Sequence, residues 1–222
     1  MSGASPPERL ELVTASIARA ATLARRDPAD VTLIAVSKTH PLEAIRTLIE
    51  AGQRHFGENR VQEAQSKWSL LKPQVPGLVL HLIGRLQSNK ADEAVALFDV
   101  IHSLDRPSLV AALARAAANA GRCPDCFVQV NIGEEPQKGG CALADLPGLL
   151  ADARGAGLPI VGLMGIPPAE VEAAPYFALL AKLARRHGLQ ALSIGMTADF
   201  ETAVAIGATH VRVGTALFGS RQ

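Results

Sequence analysis

Lys38 is the residue with the clearest chemical potential, because it ends an apolar run. Residues 31–37 read Val-Thr-Leu-Ile-Ala-Val-Ser, which is typical of a parallel strand buried on both faces. At the carboxyl end of such a strand, desolvation favours the neutral amine of a lysine. A neutral amine can form a Schiff base with an aldehyde. The alternative is a lysine whose ammonium group reaches solvent as the strand ends.

Glycines and hydroxyls near the carboxyl end of the chain are candidates for holding a phosphate. Gly214 and Thr215 stand where a strand gives way to a helical turn, and backbone N–H groups at such a position bind phosphate readily. A plain turn is the alternative for this pair. Thr197 precedes a helix, so its hydroxyl could meet a ligand or cap that helix.

Two further polar residues have a functional and a structural interpretation. Arg212 alternates with Val211 and Val213, so it points to the opposite face of its strand. A buried arginine is costly unless it is paired, so it either points outward in a salt bridge or faces a ligand ring or an acidic partner. Asn59 lies between a strand and a helix, where its amide could cap the helix or contact a ligand.

The three cysteines do not indicate a redox or metal centre. Cys123 and Cys126 have CxxC spacing, but they precede a strand instead of opening a helix that would stabilise a thiolate. A zinc site would need two more ligands, and only Cys141 and scattered histidines are available. We interpret the pair as part of a helix-to-strand turn and expect no metal site.

Composition excludes several classes of protein. The chain has 222 residues, 48% hydrophobic residues and a net charge of +1, which argues against disorder and against a basic nucleic-acid-binding face. No stretch approaches the roughly 20 apolar residues of a membrane span. Residues 1–8 lack the basic and apolar regions of a secretion signal. We therefore expect a cytoplasmic protein.

Strand-like and helix-like segments alternate along the whole chain. About eight such units predict a single α/β domain over residues 1–222, a TIM-type (β/α)8 barrel with an extra N-terminal helix near 8–26 and a flexible segment 1–7. An open doubly wound sheet is the alternative, but no GxGxxG follows the first strand. The predicted strands are 31–37, 54–56, 78–83, 100–102, 126–131, 159–163, 191–194 and 209–213.

In a barrel, functional groups gather where the strands end. Reading the residues after each predicted strand gives an amine, amides, glycines and small hydroxyls that would share one end of the barrel: Lys38, 57–59, 84–90, Asn131, 164–167, 195–197 and 214–215.

Several linked motifs resemble one known family. Residues 35–39 (AVSKT), 56–63 (FGENRVQE) and 81–90 (HLIGRLQSNK) are similar to signature blocks of the pyridoxal phosphate homeostasis proteins, formerly labelled proline synthase co-transcribed homologues. Residues 129–132, 162–167 and 195–219 match as well. The resemblance covers nearly the whole chain from Val31 onward.

The resemblance implies a barrel similar to the N-terminal domain of alanine racemase and the cofactor pyridoxal 5'-phosphate (PLP). It implies that Lys38 carries PLP as an internal aldimine and that Asn59 lies close to the cofactor. Phosphate contacts are implied at Thr197, Gly214 and Thr215, with Ser193 a weaker candidate. Arg212 would face the pyridine nitrogen and weaken the ring as an electron sink. Thr197 replaces a more usual serine and preserves the hydroxyl.

Carrier and enzyme remain as alternatives. Racemisation needs an acid or base on each face of the substrate α-carbon, and in alanine racemase-like enzymes the second is a tyrosine from an added domain. We expect no such domain after Phe218, and the one tyrosine of the sequence, Tyr176, is expected to pack in a helix. This favours a carrier that stores, buffers or delivers PLP over an amino-acid racemase. A cofactor-free Schiff-base aldolase explains the phosphate site less well.

The expected partners are PLP and, as a hypothesis, apo-enzymes that need it, with no nucleic acid or membrane. We expect a monomer. Residues 87–90 are predicted to share the end of the barrel that holds Lys38, so they are a candidate surface for handing over the cofactor.

Overall fold

The computed structural model describes residues 4–219 and shows a closed barrel of eight parallel strands. Strand order follows chain order, and β1 pairs with both β2 and β8. Closure confirms the predicted barrel and excludes the open doubly wound sheet. The strands are β1 Thr32–Val36, β2 His55–Glu58, β3 Val79–Leu82, β4 Val100–Leu104, β5 Asp125–Val130, β6 Ile160–Gly165, β7 Ala191–Ser193 and β8 His210–Val213.

Helices alternate with the strands and form the outer layer. They are α1 Pro6–Leu23, α2 Leu42–Glu50, α3 Val61–Leu71, α4 Ala91–Leu97, α5 Pro107–Ala120, α6 Leu146–Gly155, α7 Ala174–Arg186, α8 Phe200–Ile206 and α9 Thr215–Phe218. Short 3-10 turns cover Pro28–Asp30, Lys72–Gln74 and Ser88–Lys90. The extra N-terminal helix α1 packs against α8 and α9.

The strands bury two different sets of side chains because successive residues point to opposite faces. One set, which includes Ala35, Phe56 and Val213, joins the helices in a large apolar cluster. The alternate set forms a smaller cluster around Val100, Phe127 and Met164. Polar side chains share this second set, and they include the candidate residue Arg212.

Some boundaries differ from the sequence-based prediction. Strand β2 continues to Glu58, two residues beyond its predicted end at Phe56. A Cβ at position 57 would lie 2.9 Å from Cγ2 of Ile34, so a larger residue there would have to displace the Ile34 side chain. The sequence pattern predicts a helix from Ala169 to His187, but helix α7 begins only at Ala174, since Glu170 adopts a left-handed conformation (φ 62°) that a continuous helix does not allow.

The first helix starts earlier than predicted, at Pro6. Ser5 and Glu8 form a capping box in which the Ser5 backbone N–H donates to Oε2 of Glu8 at 2.7 Å. Of the predicted flexible segment 1–7, residues 1–3 lie outside the described part of the chain. No helix within residues 4–219 is long and apolar enough to cross a membrane.

The CxxC cysteines are free thiols in the structure. Cys123 is exposed just before β5 and Cys126 is buried within it. Burial, together with the nearby Asp125 carboxylate, raises the pKa of the Cys123 thiol. A raised pKa is the opposite of what a reactive thiolate needs.

Candidate functional site

Lys38 lies at the carboxyl end of the barrel, two residues beyond β1, and is partly buried. The strand register aligns Val36 with Gly57 and Ala35 with Val213. Lys38, Asn59 and Gly214 therefore leave three neighbouring strands at the same end. The structure brings together residues from the first, second and eighth units of the barrel, as the sequence predicted for that fold.

The backbone that follows Lys38 is held under strain. Thr39 adopts a left-handed conformation (φ 63°), which is unfavourable for a β-branched residue. Its N–H donates to Oε1 of Glu63, and Lys67 donates to the carbonyl of Ser37 at 3.0 Å. The His40 ring stacks on Phe218 with centroids 4.2 Å apart. These contacts fix residues 37–40, which we call the lysine loop, against both α3 and α9.

Glu58 forms a buried anchor beneath this loop. Sequence reasoning placed Glu58 in the loop after the second strand, but it belongs to β2 and its side chain is fully buried. Its Oε1 accepts hydrogen bonds from Ser37 Oγ at 2.8 Å and Trp68 Nε1 at 3.0 Å, and lies 3.4 Å from Lys67 Nζ. Burial raises the pKa of the Glu58 carboxyl. The network connects the end of β1 to the end of β2.

Arg212 points into the barrel, with only 5% of its surface exposed. Its Nη1 donates to both the carbonyl and Oγ of Ser193 at 2.6 Å, and its Nη2 donates to the carbonyl of Gly165 at 3.1 Å. Burial lowers the pKa of Arg212 to about 10, so the guanidinium is still charged at pH 7. The outward salt-bridge alternative is therefore wrong, because neutral oxygens of β6 and β7 hold the charge.

Ser193, the weaker phosphate candidate, is fully buried at the end of β7. Its Oγ accepts from Arg212 and lies 2.9 Å from Nδ1 of His102. These contacts give Ser193 a supporting position beside Arg212.

Thr197 does not cap a helix. Helix α8 has Asp199 at its N-cap position, and the Asp199 side chain accepts from the N–H of Met196 at 2.6 Å. Thr197 is exposed in the loop between β7 and α8. The capping alternative is therefore wrong, and the hydroxyl stands in a loop at the carboxyl end of the barrel.

Gly214 and Thr215 lead directly from β8 into the short helix α9. Gly214 occupies the N-cap position and its carbonyl accepts from the N–H of Leu217 at 2.9 Å. A Cβ at Gly214 would lie 3.5 Å from Cβ of Val36. The turn thus lies against the end of β1, close to the start of the lysine loop.

Asn59 is a loop residue and does not cap α3, whose N-cap position is Arg60. Gly84 lies against its backbone, since a Cβ at Gly84 would be only 2.7 Å from Cα of Asn59. Beside them, a basic cavity of about 450 Å³ is lined by Asn59, Arg60, Val61, Gln62, Arg85, Leu86, Gln87 and Lys90. The segment 87–90 therefore adjoins a candidate site residue.

Sequence reasoning missed a series of histidines inside the barrel. His81 and His102 are buried, and the ring nitrogens of His55, His81 and His102 follow one another at 3.0 Å. The available signal was parity: each histidine takes an inward position on a strand whose other residues are largely apolar. Within residues 4–219, no group of three or more His, Cys, Asp or Glu side chains is arranged to hold a metal ion.

Together, the closed barrel, the lysine after β1 and the buried arginine on β8 define the alanine racemase N-terminal-domain class. The family model described as "Alanine racemase, N-terminal domain" matches residues 10–222. Within that class, the chain belongs to the pyridoxal phosphate homeostasis protein family. It is 43% identical to the pyridoxal phosphate homeostasis protein of Pseudomonas aeruginosa, over 97% of this chain and 95% of the relative.

Solved structures support the same placement. PipY of Synechococcus elongatus, solved with PLP bound, is 45% identical over 92% of this chain and 100% of that chain, with a TM-score of 0.79. PipY without PLP has a TM-score of 0.81 over 91% of this chain and 99% of that chain. An alanine racemase from Clostridium difficile shares the fold at 12% identity, with a TM-score of 0.70, and this chain covers 56% of its length.

Proposed function

We propose that this protein binds PLP and serves its homeostasis by storing, buffering or delivering the cofactor. The observation that carries the proposal is the position of Lys38 at the end of β1, between the chain segments that present Asn59 and Gly214. A relative with 45% identity, PipY, has been solved with PLP bound.

Lys38 would hold the cofactor through a reversible covalent bond. An amine in its neutral form would add to the aldehyde carbon, and a C=N bond would form with loss of one water molecule. Addition of water reverses the step and releases both the lysine and the aldehyde. Such a bond sequesters a reactive aldehyde without consuming it. The contacts of residues 37–40 support this role because they fix the backbone position from which the Lys38 side chain extends.

The remaining candidate residues would bind the phosphate and the ring. The exposed Thr197 hydroxyl and the backbone of Gly214 and Thr215 offer donors to a phosphate from the loops after β7 and β8. Arg212 would face the ring nitrogen and donate to it. Since a charged guanidinium disfavours a proton on that nitrogen, the ring would be a weak electron sink. Asn59 would contact the cofactor from the β2 side.

A carrier role fits the site better than racemisation. The one tyrosine of the chain, Tyr176, lies in α7 and packs against the apolar cluster between helices and strands. It is therefore poorly placed to act as the second acid or base that racemisation requires. We propose that the protein is not a robust enzyme, and that it works in the cytoplasm as a monomer.

Delivery to apo-enzymes would use the surface around residues 87–90. Arg60, Arg85 and Lys90 line the basic cavity beside Asn59, so an anionic cofactor leaving Lys38 would meet positive charge there. If Lys90→Ala transfers PLP to an apo-enzyme at the wild-type rate, Lys90 has no part in this surface.

The test is a near-visible absorption spectrum of the purified protein with PLP, before and after borohydride, followed by peptide mapping. We expect an imine band and a reduced label on Lys38. Lys38→Ala should lose the band, whereas Lys182→Ala, which removes an exposed lysine in α7, should keep it. An imine band retained in Lys38→Ala, or a label spread over surface lysines, would refute the site.

An amino-acid racemisation assay on the PLP-loaded protein separates the two functions. We expect turnover at or near the background of free PLP. Turnover well above that background, lost in Lys38→Ala, would replace the carrier with a racemase.

A further inference from the structure

Five side chains form one continuous series through the barrel interior. His55 Nδ1 lies 3.0 Å from His81 Nε2, and His81 Nδ1 lies 3.0 Å from His102 Nε2. His102 Nδ1 lies 2.9 Å from Ser193 Oγ, which accepts from Arg212 at 2.6 Å. The series runs from the first residue of β2 to the last residue of β7 and the neighbouring β8.

The chemistry at the Arg212 end of the series sets the direction of the hydrogen bonds. A guanidinium has donors only, so Arg212 must donate to Ser193 Oγ. The Ser193 hydroxyl has a single hydrogen, and among the described contacts its remaining partner is Nδ1 of His102. If that hydrogen points to His102, then His102 carries its proton on Nε2 and donates to His81. The same step repeats at His81, which donates from Nε2 to His55.

Lowered pKa values favour the neutral imidazoles that this arrangement requires. Burial lowers the pKa of His81 and His102 well below the ordinary range, and neighbouring histidines lower it further. Burial also lowers the pKa of His55, although Asp99 opposes this effect. A neutral imidazole has one donor and one acceptor nitrogen, so each ring accepts a hydrogen bond from one neighbour and donates one to the next. The opposite direction would leave the Ser193 hydrogen without an acceptor among residues 4–219.

We propose that His55, His81, His102 and Ser193 form a one-directional hydrogen-bonded chain that orients the Arg212 guanidinium toward the cofactor end of the barrel. The three histidines are positioning residues, and they act through Ser193. The role assigned to Arg212 rests on the proposed function, whereas the direction of the chain does not. Because each hydrogen bond polarises the next, loss of one member should weaken the hydrogen bonding that holds the Arg212 guanidinium, even when that member does not contact Arg212.

Nitrogen NMR of the histidine side chains in the cofactor-free protein tests the direction at neutral pH. We expect His55, His81 and His102 to carry the proton on Nε2. His102→Leu should remove the donor to His81 and shift its two ring nitrogens toward a tautomer mixture. His102→Gln, whose amide can donate in the same place, should restore the Nε2–H form. Protons on Nδ1 of His81 and His102 in the wild type would overturn the proposal.

His210→Met is the matched control, because the partly buried His210 ring packs beside His81 and His102, with ring centroids 6.1 and 6.0 Å away, yet its hydrogen bond goes to Thr209. The variant therefore removes a neighbouring ring without removing a donor or an acceptor of the series. It should leave the His81 tautomer unchanged, and a change there would count against the chain. The dissociation constant for PLP should be about tenfold higher for His102→Leu than for His210→Met. Equal affinity of the two variants would overturn the link to Arg212. If the wild type shows the expected tautomers but no imine band on Lys38, the proposed function fails and the directional chain stands.

Discussion

Ser37 donates its hydroxyl hydrogen to Glu58 across 2.8 Å, so the residue before the candidate lysine is tied to the last residue of β2. Lys67 joins the same network and also binds Glu63 at 2.6 Å. Two carboxylates therefore share one ammonium group, but one is fully buried and the other is partly exposed. Their different environments lead to opposite dependences of stability on pH.

Glu58→Gln should reduce the loss of stability that the wild type suffers as pH rises. Burial raises the pKa of Glu58 above its unfolded value, so the folded state binds the proton more tightly. The contribution is fully present below the unfolded pKa of about 4.5 and is lost as pH rises through the folded pKa. Denaturant unfolding from pH 4 to 7 measures this. The free energy of unfolding of Glu58→Gln should rise relative to that of the wild type as the pH increases.

Glu63→Gln should show the reverse. Burial would raise the pKa of Glu63, but the hydrogen bonds from Lys67 and the Thr39 N–H outweigh it and lower the pKa. This contribution is present above the unfolded pKa and is lost as pH falls through the folded pKa. In the same unfolding series, the free energy of unfolding of Glu63→Gln should fall furthest below that of the wild type at neutral pH. If the free energies of unfolding of the two variants, relative to the wild type, changed with pH in the same direction, the assigned network would be contradicted.

Gly84→Ala should disturb the loop that holds Asn59. The new Cβ would approach the Asn59 backbone to within 2.7 Å of its Cα, and backbone atoms cannot move aside cheaply. We expect a loss of roughly 1–3 kcal/mol in the free energy of unfolding and weaker PLP binding. Gly148→Ala in α6 is the control, because a Cβ there meets nothing within 4 Å. It should stabilise the protein by about 0.5–1 kcal/mol; a comparable loss there would show that the Gly84 effect is not local.

Thr197→Ala should weaken PLP binding without changing stability. The hydroxyl is exposed and does not cap α8, so its removal leaves the folded contacts intact. A lost hydrogen bond to a charged phosphate is worth roughly 1.5–3 kcal/mol, or about tenfold or more in the dissociation constant. Titration by absorbance measures this, and Thr197→Ser should restore it. A fall in the free energy of unfolding with unchanged affinity would assign Thr197 a structural role.

Arg212→Lys should lower the free energy of unfolding, although the charge is kept. A lysine cannot satisfy the Ser193 and Gly165 oxygens together as the guanidinium fork does. One unsatisfied buried acceptor costs roughly 1–3 kcal/mol. Urea unfolding should show this loss, whereas Arg85→Lys on the exposed β3 loop should be neutral. Equal stability of the two variants would mean that the bidentate contact is unimportant.

The sequence by itself determined the order of the elements and the end of the barrel at which chemistry gathers. Alternating apolar strands and amphipathic helices predict a (β/α)8 barrel, and Lys38, Thr197, Gly214 and Thr215 follow strands in that pattern. Parity along β8 separated Arg212 from Val211 and Val213. These properties are local, so a single segment contains the information that specifies each of them.

Only the tertiary structure decided which polar groups meet. Glu58 looked like a loop residue, since its burial depends on Ser37, Lys67 and Trp68 from other segments. His55, His81, His102 and Ser193 become one series only when barrel closure brings β2, β3, β4 and β7 around a common axis. Hydrogen bonds between residues as far apart as His102 and Ser193 depend on the register of the closed sheet, which no local pattern in the chain specifies.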